Sequence, residues 1–170
     1  ADYDVPFIKI PSPHITNKEL LAEAAKSNIP VIISTGMSTW EIIDDAVKIL
    51  DDNNAEYAIL NCNSTYPASH GDLNINIIPK MKKRYNCIVG YSGHEYDLEP
   101  SVVAVVMGAK IIERHITLDH NMWGTDHKSS LEVHAMDLLR KRIYDISSIL
   151  GGTEKIITES EKKIMKKLRG

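Results

Sequence analysis

Ile88-Val89-Gly90-Tyr91-Ser92-Gly93-His94 and Ala109-Lys110-Ile111-Ile112-Glu113-Arg114-His115 are short apolar runs that turn polar and end in a histidine. Nearly continuous apolar residues over this length read as strands buried on both faces. Three similar runs precede them: Phe7–Ile10, Val31–Ser34 and Tyr57–Cys62. They recur at roughly 25–30 residues, the period of a βα unit.

Helical patterns fill the intervals. Thr16 with Glu19, and Ser38 with Glu41, have the spacing of a capping box. They open helices expected over 17–27 and before Ile42, Ile43, Ala46, Val47 and Leu50. Further helices are expected over 73–85, interrupted by Pro79, and over 98–107, ended by Gly108. The longest runs over 131–150 and stops at Gly151-Gly152. An amphipathic stretch covers 154–168.

Alternation of strands and helices predicts a parallel sheet with right-handed crossovers. Two architectures satisfy it: an open doubly wound sheet, or a (β/α)8 barrel present only in part. In both, chemistry sits beyond the C-terminal strand ends. Polar residues collect there: Lys9, Ser12 and His14; Ser34 and Thr35; Ser64 and Tyr66; Ser92 and His94; His115, Thr117 and Asp119.

The bulk composition narrows the function. The chain has 170 residues, 43% of them apolar, which is enough for one domain with a core. A net charge of -3 speaks against a nucleic-acid partner. The basic cluster 162–169 reads as a solvated helix face. Cys62 and Cys87 lie in strand-like runs and read as reduced, buried thiols. No signal peptide is visible, and the longest apolar stretch, 102–107, is too short for a bilayer. A soluble, cytoplasmic protein without a membrane partner is expected. The chain starts at Ala1, almost directly on a strand, and closes in a helical pattern; a piece of a longer protein is expected.

His94 and His115 are the candidate metal ligands. Neighbouring parallel strands lie about 4.8 Å apart, so two imidazoles at adjacent ends can share one divalent ion. Each also has a plain reading as a hydrogen-bonded structural histidine, and His14, His70, His120, His127 and His134 show that histidine alone means little here. Lys9 at the first strand end suits a phosphate or carboxylate, or a Schiff base. Ser12, Ser34, Ser64 and Ser92 follow four successive strands and could donate to an anion, or merely cap turns. Gly36 and Gly93 would let backbone N–H groups approach the same anion. Glu113 lies two residues before His115 and so faces the same side, able to orient a water or to pair inside a barrel with Lys9. Asp126 could hold a sugar hydroxyl or start a turn.

Taken together, Lys9-Ile10-Pro11-Ser12, Ile33-Ser34-Thr35-Gly36-Met37, Cys62-Asn63-Ser64-Thr65-Tyr66-Pro67, Gly90-Tyr91-Ser92-Gly93-His94-Glu95, the stretch Gly108 to Asp119 and the stretch Gly124 to Glu132 resemble the sialic acid synthase family, in its order and at about its spacing. The resemblance implies a (β/α)8 TIM barrel of which this chain carries strands four to eight. Residues 1–152 would be the partial catalytic barrel, and 153–170 a helix or linker leading to a second domain that this chain lacks. It implies condensation of phosphoenolpyruvate with an N-acetylated hexosamine such as N-acetylmannosamine, with a divalent Mn²⁺ or Mg²⁺, in a homodimeric full-length enzyme. By position, His94 and His115 match the metal ligands. Lys9, Ser12, Ser34, Ser64 and Ser92 match phosphoenolpyruvate contacts. Tyr66 and Asp126 match sugar contacts, and Glu113 matches an acidic residue near the metal; Lys9 and Glu113 are the catalytic candidates. His14 stands where many relatives carry Glu, and Asn63 where Thr is common. Rival readings are another phosphoenolpyruvate-condensing 3-deoxy-sugar acid synthase, a class I aldolase using Lys9, and a non-catalytic barrel fragment. Five strands of eight cannot close, so open edges are expected at the first and last strand.

Overall fold

The computed structural model describes residues 4–169, so the outermost positions of the two expected segments, 1–3 and 170, lie outside the described residues. Strands β1 (Ile8–Ile10), β2 (Val31–Ser34), β3 (Tyr57–Cys62), β4 (Ile88–Gly93) and β5 (Ile112–Arg114) form one parallel sheet in sequence order. The helices between them are α1 (Lys18–Lys26), α2 (Trp40–Asp52), α3 (Ile77–Tyr85) and α4 (Glu99–Val106). Sequential parallel order is what a barrel requires. A doubly wound sheet would reverse direction at a switch point. The chain folds as half of a (β/α)8 barrel. β1 and β5 each have one neighbour in this sheet, as expected of an unclosed barrel.

Strand alternation divides the residues between two faces. Ile10, Val31, Ile33, Ile59, Val89 and Tyr91 point to the helices and join Leu21, Ile43, Val47, Leu50, Ile78 and Met81 in the core. The registers Lys9↔Ile32, Cys62↔Ser92 and Ser92↔Glu113 put the intervening residues on the inner face. That face turns polar at the C-terminal ends, where Cys62, Ser92 and Glu113 stand in register and Ser34 and Lys9 lie on successive lower steps. Gly90 lies two residues before Ser92 on the same face, where nothing larger fits. A Cβ there would lie 2.5 Å from both the Ile111 carbonyl oxygen and Leu60 Cδ2.

Several helix and strand bounds differ from expectation. Both capping-box readings were one residue early. Asn17 caps α1, its Oδ1 accepting from the Leu20 N–H at 3.0 Å, and Thr39 takes the cap position of α2. Asn accepts at a cap better than Thr. The helix expected over 73–85 starts only at Ile77, so Pro79 falls in its first turn, where a missing N–H costs no intrahelical bond. The stretch expected to be one strand over 110–116 splits at His115. After β5, Ile116–Thr117 (β6) leaves the main sheet and pairs in parallel with Leu131–Glu132 (β7). Leu131 was expected to open the last long helix, but its N–H donates to the His115 carbonyl at 2.8 Å. Helix α5 therefore spans Val133–Leu150. Helix α6 (Glu159–Arg169) follows, with Ile164 and Leu168 exposed. Among the described residues no helix is long and apolar enough to cross a membrane.

Candidate active site

A cavity of about 340 Å³ opens at the C-terminal strand ends. Its lining includes Lys9, Ser12, Ser34, Ser64, Tyr66, Ser92, His94, Glu113 and His115, so nine of the ten candidate residues meet in one place. The tenth, Asp126, lies just outside the lining, its Oδ2 3.5 Å from His115 Nδ1. A larger cavity, about 620 Å³, sits between α5 and the open side of the sheet, walled by Phe7, Ile32, Ile112, Leu139 and Ile143. Its walls are mainly apolar, with Glu113, Arg114 and Arg140 as the charged members, whereas the smaller cavity gathers hydroxyls, imidazoles and the Lys9–Glu113 pair and is the candidate site.

Lys9 Nζ lies 3.2 Å from Glu113 Oε2, and the Ser92 hydroxyl donates to Glu113 Oε1 at 2.8 Å. Glu113 is thus paired with Lys9 inside the barrel while still facing the cavity. Ser34 is buried and, among the described residues, its hydroxyl has no hydrogen-bond partner. Ser12 Oγ accepts from the Gly36 N–H at 2.9 Å and donates toward Cys62 Sγ at 3.5 Å. The expected roles of the two glycines change accordingly. The Gly36 N–H is already taken by Ser12, and a Cβ on Gly36 would meet Ser64 Oγ at 2.1 Å. At Gly93 a Cβ would meet the Glu95 carboxylate oxygens at 2.7 and 2.8 Å, so the missing side chain makes room for Glu95.

The two imidazoles stand edge to face with centroids 5.1 Å apart. His94 Nδ1 is 2.7 Å from the Asn63 carbonyl oxygen, which accepts its proton and leaves Nε2 as the lone-pair nitrogen. His115 Nδ1 makes a longer approach, 3.5 Å, to Asp126 Oδ2. A carbonyl or carboxylate behind each ring is the usual support of a metal-binding histidine. Two imidazoles with polar groups behind them are a donor set that fits a divalent ion. Among the described residues no third His, Cys, Asp or Glu joins them. The Tyr66 hydroxyl lies 3.0 Å from His94 Nε2, so this phenol must turn aside when an ion takes that nitrogen.

Burial opposes the charged form of His94, but its contacts with Cys62 and the Asn63 carbonyl outweigh this and raise its pKa. Burial and the neighbouring His94 lower that of His115. Burial also opposes ionisation of Cys62, yet His94 and Ser12 bring its pKa below the ordinary thiol value. The sequence reads Cys62 as a reduced, buried thiol; it is half-buried and lines the cavity. Strand alternation was the available signal, since Leu60 and Cys62 share the inner face. Met37, with φ 59°, is a second lining residue that the sequence did not single out. His14 is exposed and absent from the lining.

Residues 1–155 match the family model described as the NeuB family. N-acetylneuraminate-9-phosphate synthase of Drosophila melanogaster is 40% identical, over 86% of this chain and 40% of that protein. N,N'-diacetyllegionaminic acid synthase of Campylobacter jejuni is 39% identical, over 91% of this chain and 47% of its own length. The crystal structure of N-acetylneuraminic acid (sialic acid) synthetase from Leptospira borgpetersenii in complex with citrate superposes with a TM-score of 0.86 at 33% identity, covering 98% of this chain and 58% of that one. The chain spans about half the length of the curated relatives it matches. With the match running over most of its length, and with the motifs arranged around one cavity, the chain belongs to the NeuB family of sialic acid synthases.

Proposed function

We propose that this chain is the C-terminal half of the catalytic barrel of a nonulosonic acid synthase. The enzyme condenses phosphoenolpyruvate with the open-chain form of an N-acylated hexosamine such as N-acetylmannosamine and releases phosphate. The observation that carries this reading is the juxtaposition of an anion pocket with two oriented imidazoles. Lys9, the unpartnered Ser34 hydroxyl and the Ser12, Ser64 and Ser92 hydroxyls surround one cavity. His94 and His115 stand at its edge with ring centroids 5.1 Å apart, and the Tyr66 hydroxyl lies 3.0 Å from His94 Nε2.

In this reading His94 and His115 hold a divalent ion, Mn²⁺ or Mg²⁺. When bound, it supplies Lewis-acid polarisation of the sugar aldehyde oxygen. Lys9 and the serine hydroxyls hold the phosphate of phosphoenolpyruvate throughout. A carbon–carbon bond forms between phosphoenolpyruvate C3 and the aldehyde carbon, leaving a cation at C2. Glu113, fixed between Lys9 and Ser92, orients a water toward C2 and takes its proton. The C2–O bond to phosphate then breaks as the new C2 hydroxyl gives up its proton and becomes the ketone, while the former aldehyde oxygen takes a proton and becomes a hydroxyl. Tyr66 and Asp126 contact the sugar. The full-length enzyme works as a cytoplasmic homodimer.

A class I aldolase using Lys9 is disfavoured because Lys9 Nζ is already engaged by Glu113 at 3.2 Å. The test is direct. The full-length protein is incubated with Mn²⁺, N-acetylmannosamine and phosphoenolpyruvate carrying ¹⁸O in the bridging position, and products are read by mass spectrometry. A nonulosonic acid with the label in the released phosphate is expected. Label retained in the sugar acid, or no sugar acid from N-acetylmannosamine, its 6-phosphate or the 2,4-diacetamido hexoses, would reject the reading. Lys9→Met should weaken phosphoenolpyruvate binding by about 1.5–3 kcal/mol, the scale of a hydrogen bond to a charged group. Calorimetry showing unchanged affinity would exclude Lys9 from the anion pocket.

A further inference from the structure

Behind His94 and His115, on the helix-facing side of the same two strands, lies a buried ion pair. Glu95 follows His94, and Arg114 precedes His115. Their side chains are 0% and 1% exposed. Arg114 Nη1 donates to Glu95 Oε1 at 2.8 Å, to the Asp97 carbonyl at 3.0 Å and to Ser101 Oγ at 3.1 Å. Its Nη2 donates to the Glu95 carbonyl. The Tyr91 hydroxyl donates to Glu95 Oε2 at 2.8 Å. Gly93 leaves room for that carboxylate, since a Cβ there would overlap both of its oxygens.

Stability alone does not account for such a pair. Removing two charges from water costs as much as their attraction returns, and apolar replacements are often neutral or better. Its position suggests another use. The ladder between β4 and β5 ends at Gly93↔Arg114, so backbone pairing stops one residue before each histidine. Successive strand residues point to opposite faces. An outward Arg114 that grips both the side chain and the carbonyl of Glu95 therefore sets where the adjacent rings point inward. Through Asp97 and Ser101 the same guanidinium also ties down the loop after His94 and the start of α4.

We propose that the Glu95–Arg114 pair is a positioning device that continues the ladder past its end and holds His94 and His115 at the spacing at which both rings address one divalent cation. This rests on the metal reading of the site above, and its test separates the two. Two variants of the full-length protein are compared with the parent: the apolar replacement Tyr91→Phe/Glu95→Leu/Arg114→Met, and Arg114→Lys, which keeps the charge but loses the fork. Thermal midpoint, Mn²⁺ affinity by calorimetry and the ring ¹⁵N signals of the metal-free protein are measured. The apolar variant is expected to melt close to the parent yet bind Mn²⁺ about 10–100-fold more weakly, the scale of lost outer support around a metal ligand. Its His94 signals should change from one Nδ1–H tautomer to a mixture. Arg114→Lys should shift both readouts in the same direction by less, and it decides the matter if the apolar variant does not fold. Folded variants with parental Mn²⁺ affinity and unmoved ring signals would overturn the proposal and leave the pair a structural tie. If the parent binds no Mn²⁺, the metal reading fails by itself. The ring signals then decide: a tautomer mixture supports positioning, and unmoved signals overturn it.

Discussion

Replacing His115 by alanine in the full-length protein is expected to lower Mn²⁺ affinity by more than ~100-fold and to abolish metal-dependent turnover, because outer contacts alone are worth ~10–100-fold and a direct ligand more. Only two imidazoles stand ready to hold the ion among the described residues, so losing one leaves a single protein ligand. The fold should tolerate the change. His115 is half-buried, and its own backbone carbonyl, not its ring, receives the Leu131 N–H that joins the two sheets. Asp126→Asn is the matched control. It keeps the shape of the group 3.5 Å from His115 Nδ1 but removes its charge, and it should fall within the weaker, outer-contact range. Stripping each variant of metal, reconstituting it with Mn²⁺ and titrating by calorimetry tests both. Parental affinity and turnover in His115→Ala would remove this residue from the site.

Deleting one member of the buried ion pair should have the largest effect on stability. Arg114→Met on its own leaves Glu95 fully buried with the Tyr91 hydroxyl as its remaining side-chain partner. An uncompensated buried charge of this kind costs about 3–5 kcal/mol. Chemical denaturation of parent and variant should show that loss at neutral pH. A variant within about 1 kcal/mol of the parent would mean that water reaches Glu95, contrary to its 0% exposure.

How much could be read without coordinates follows from which interactions are local. All five strands of the main sheet were legible, because each is a short apolar run flanked by turn residues, and the βα rhythm dictates parallel pairing. Alternation then put Glu113 on the same face as His115. The choice between an open sheet and a partial barrel was not legible from rhythm alone. It depended on strand order, which is a property of packing. Helix starts were misplaced by one residue, since Thr16–Glu19 and Asn17–Leu20 are competing local caps and only the folded chain selects between them. The break at His115 was hidden for a different reason. Residues 110–117 are uniformly strand-like, and the split is imposed by Leu131, which arrives from the following loop to take the His115 carbonyl.

The candidate site divides along the same line. The sequence by itself determined which residues stand at the strand ends, because period-two alternation and the spacing of the motifs require nothing beyond the local chain. Tertiary structure alone decided their partners. Asn63 presents a carbonyl to His94, Asp126 backs His115, and Cys62 reaches into the cavity beside Ser12. Glu113 meets Lys9 across the sheet, and Arg114 finds Glu95 behind it. These contacts join residues far apart in the chain, and their directions follow from strand register and loop closure. Neither is written in any one segment. The composition of the pocket is therefore local information, and its chemistry is set by the electrostatic contacts that only the assembled half-barrel creates.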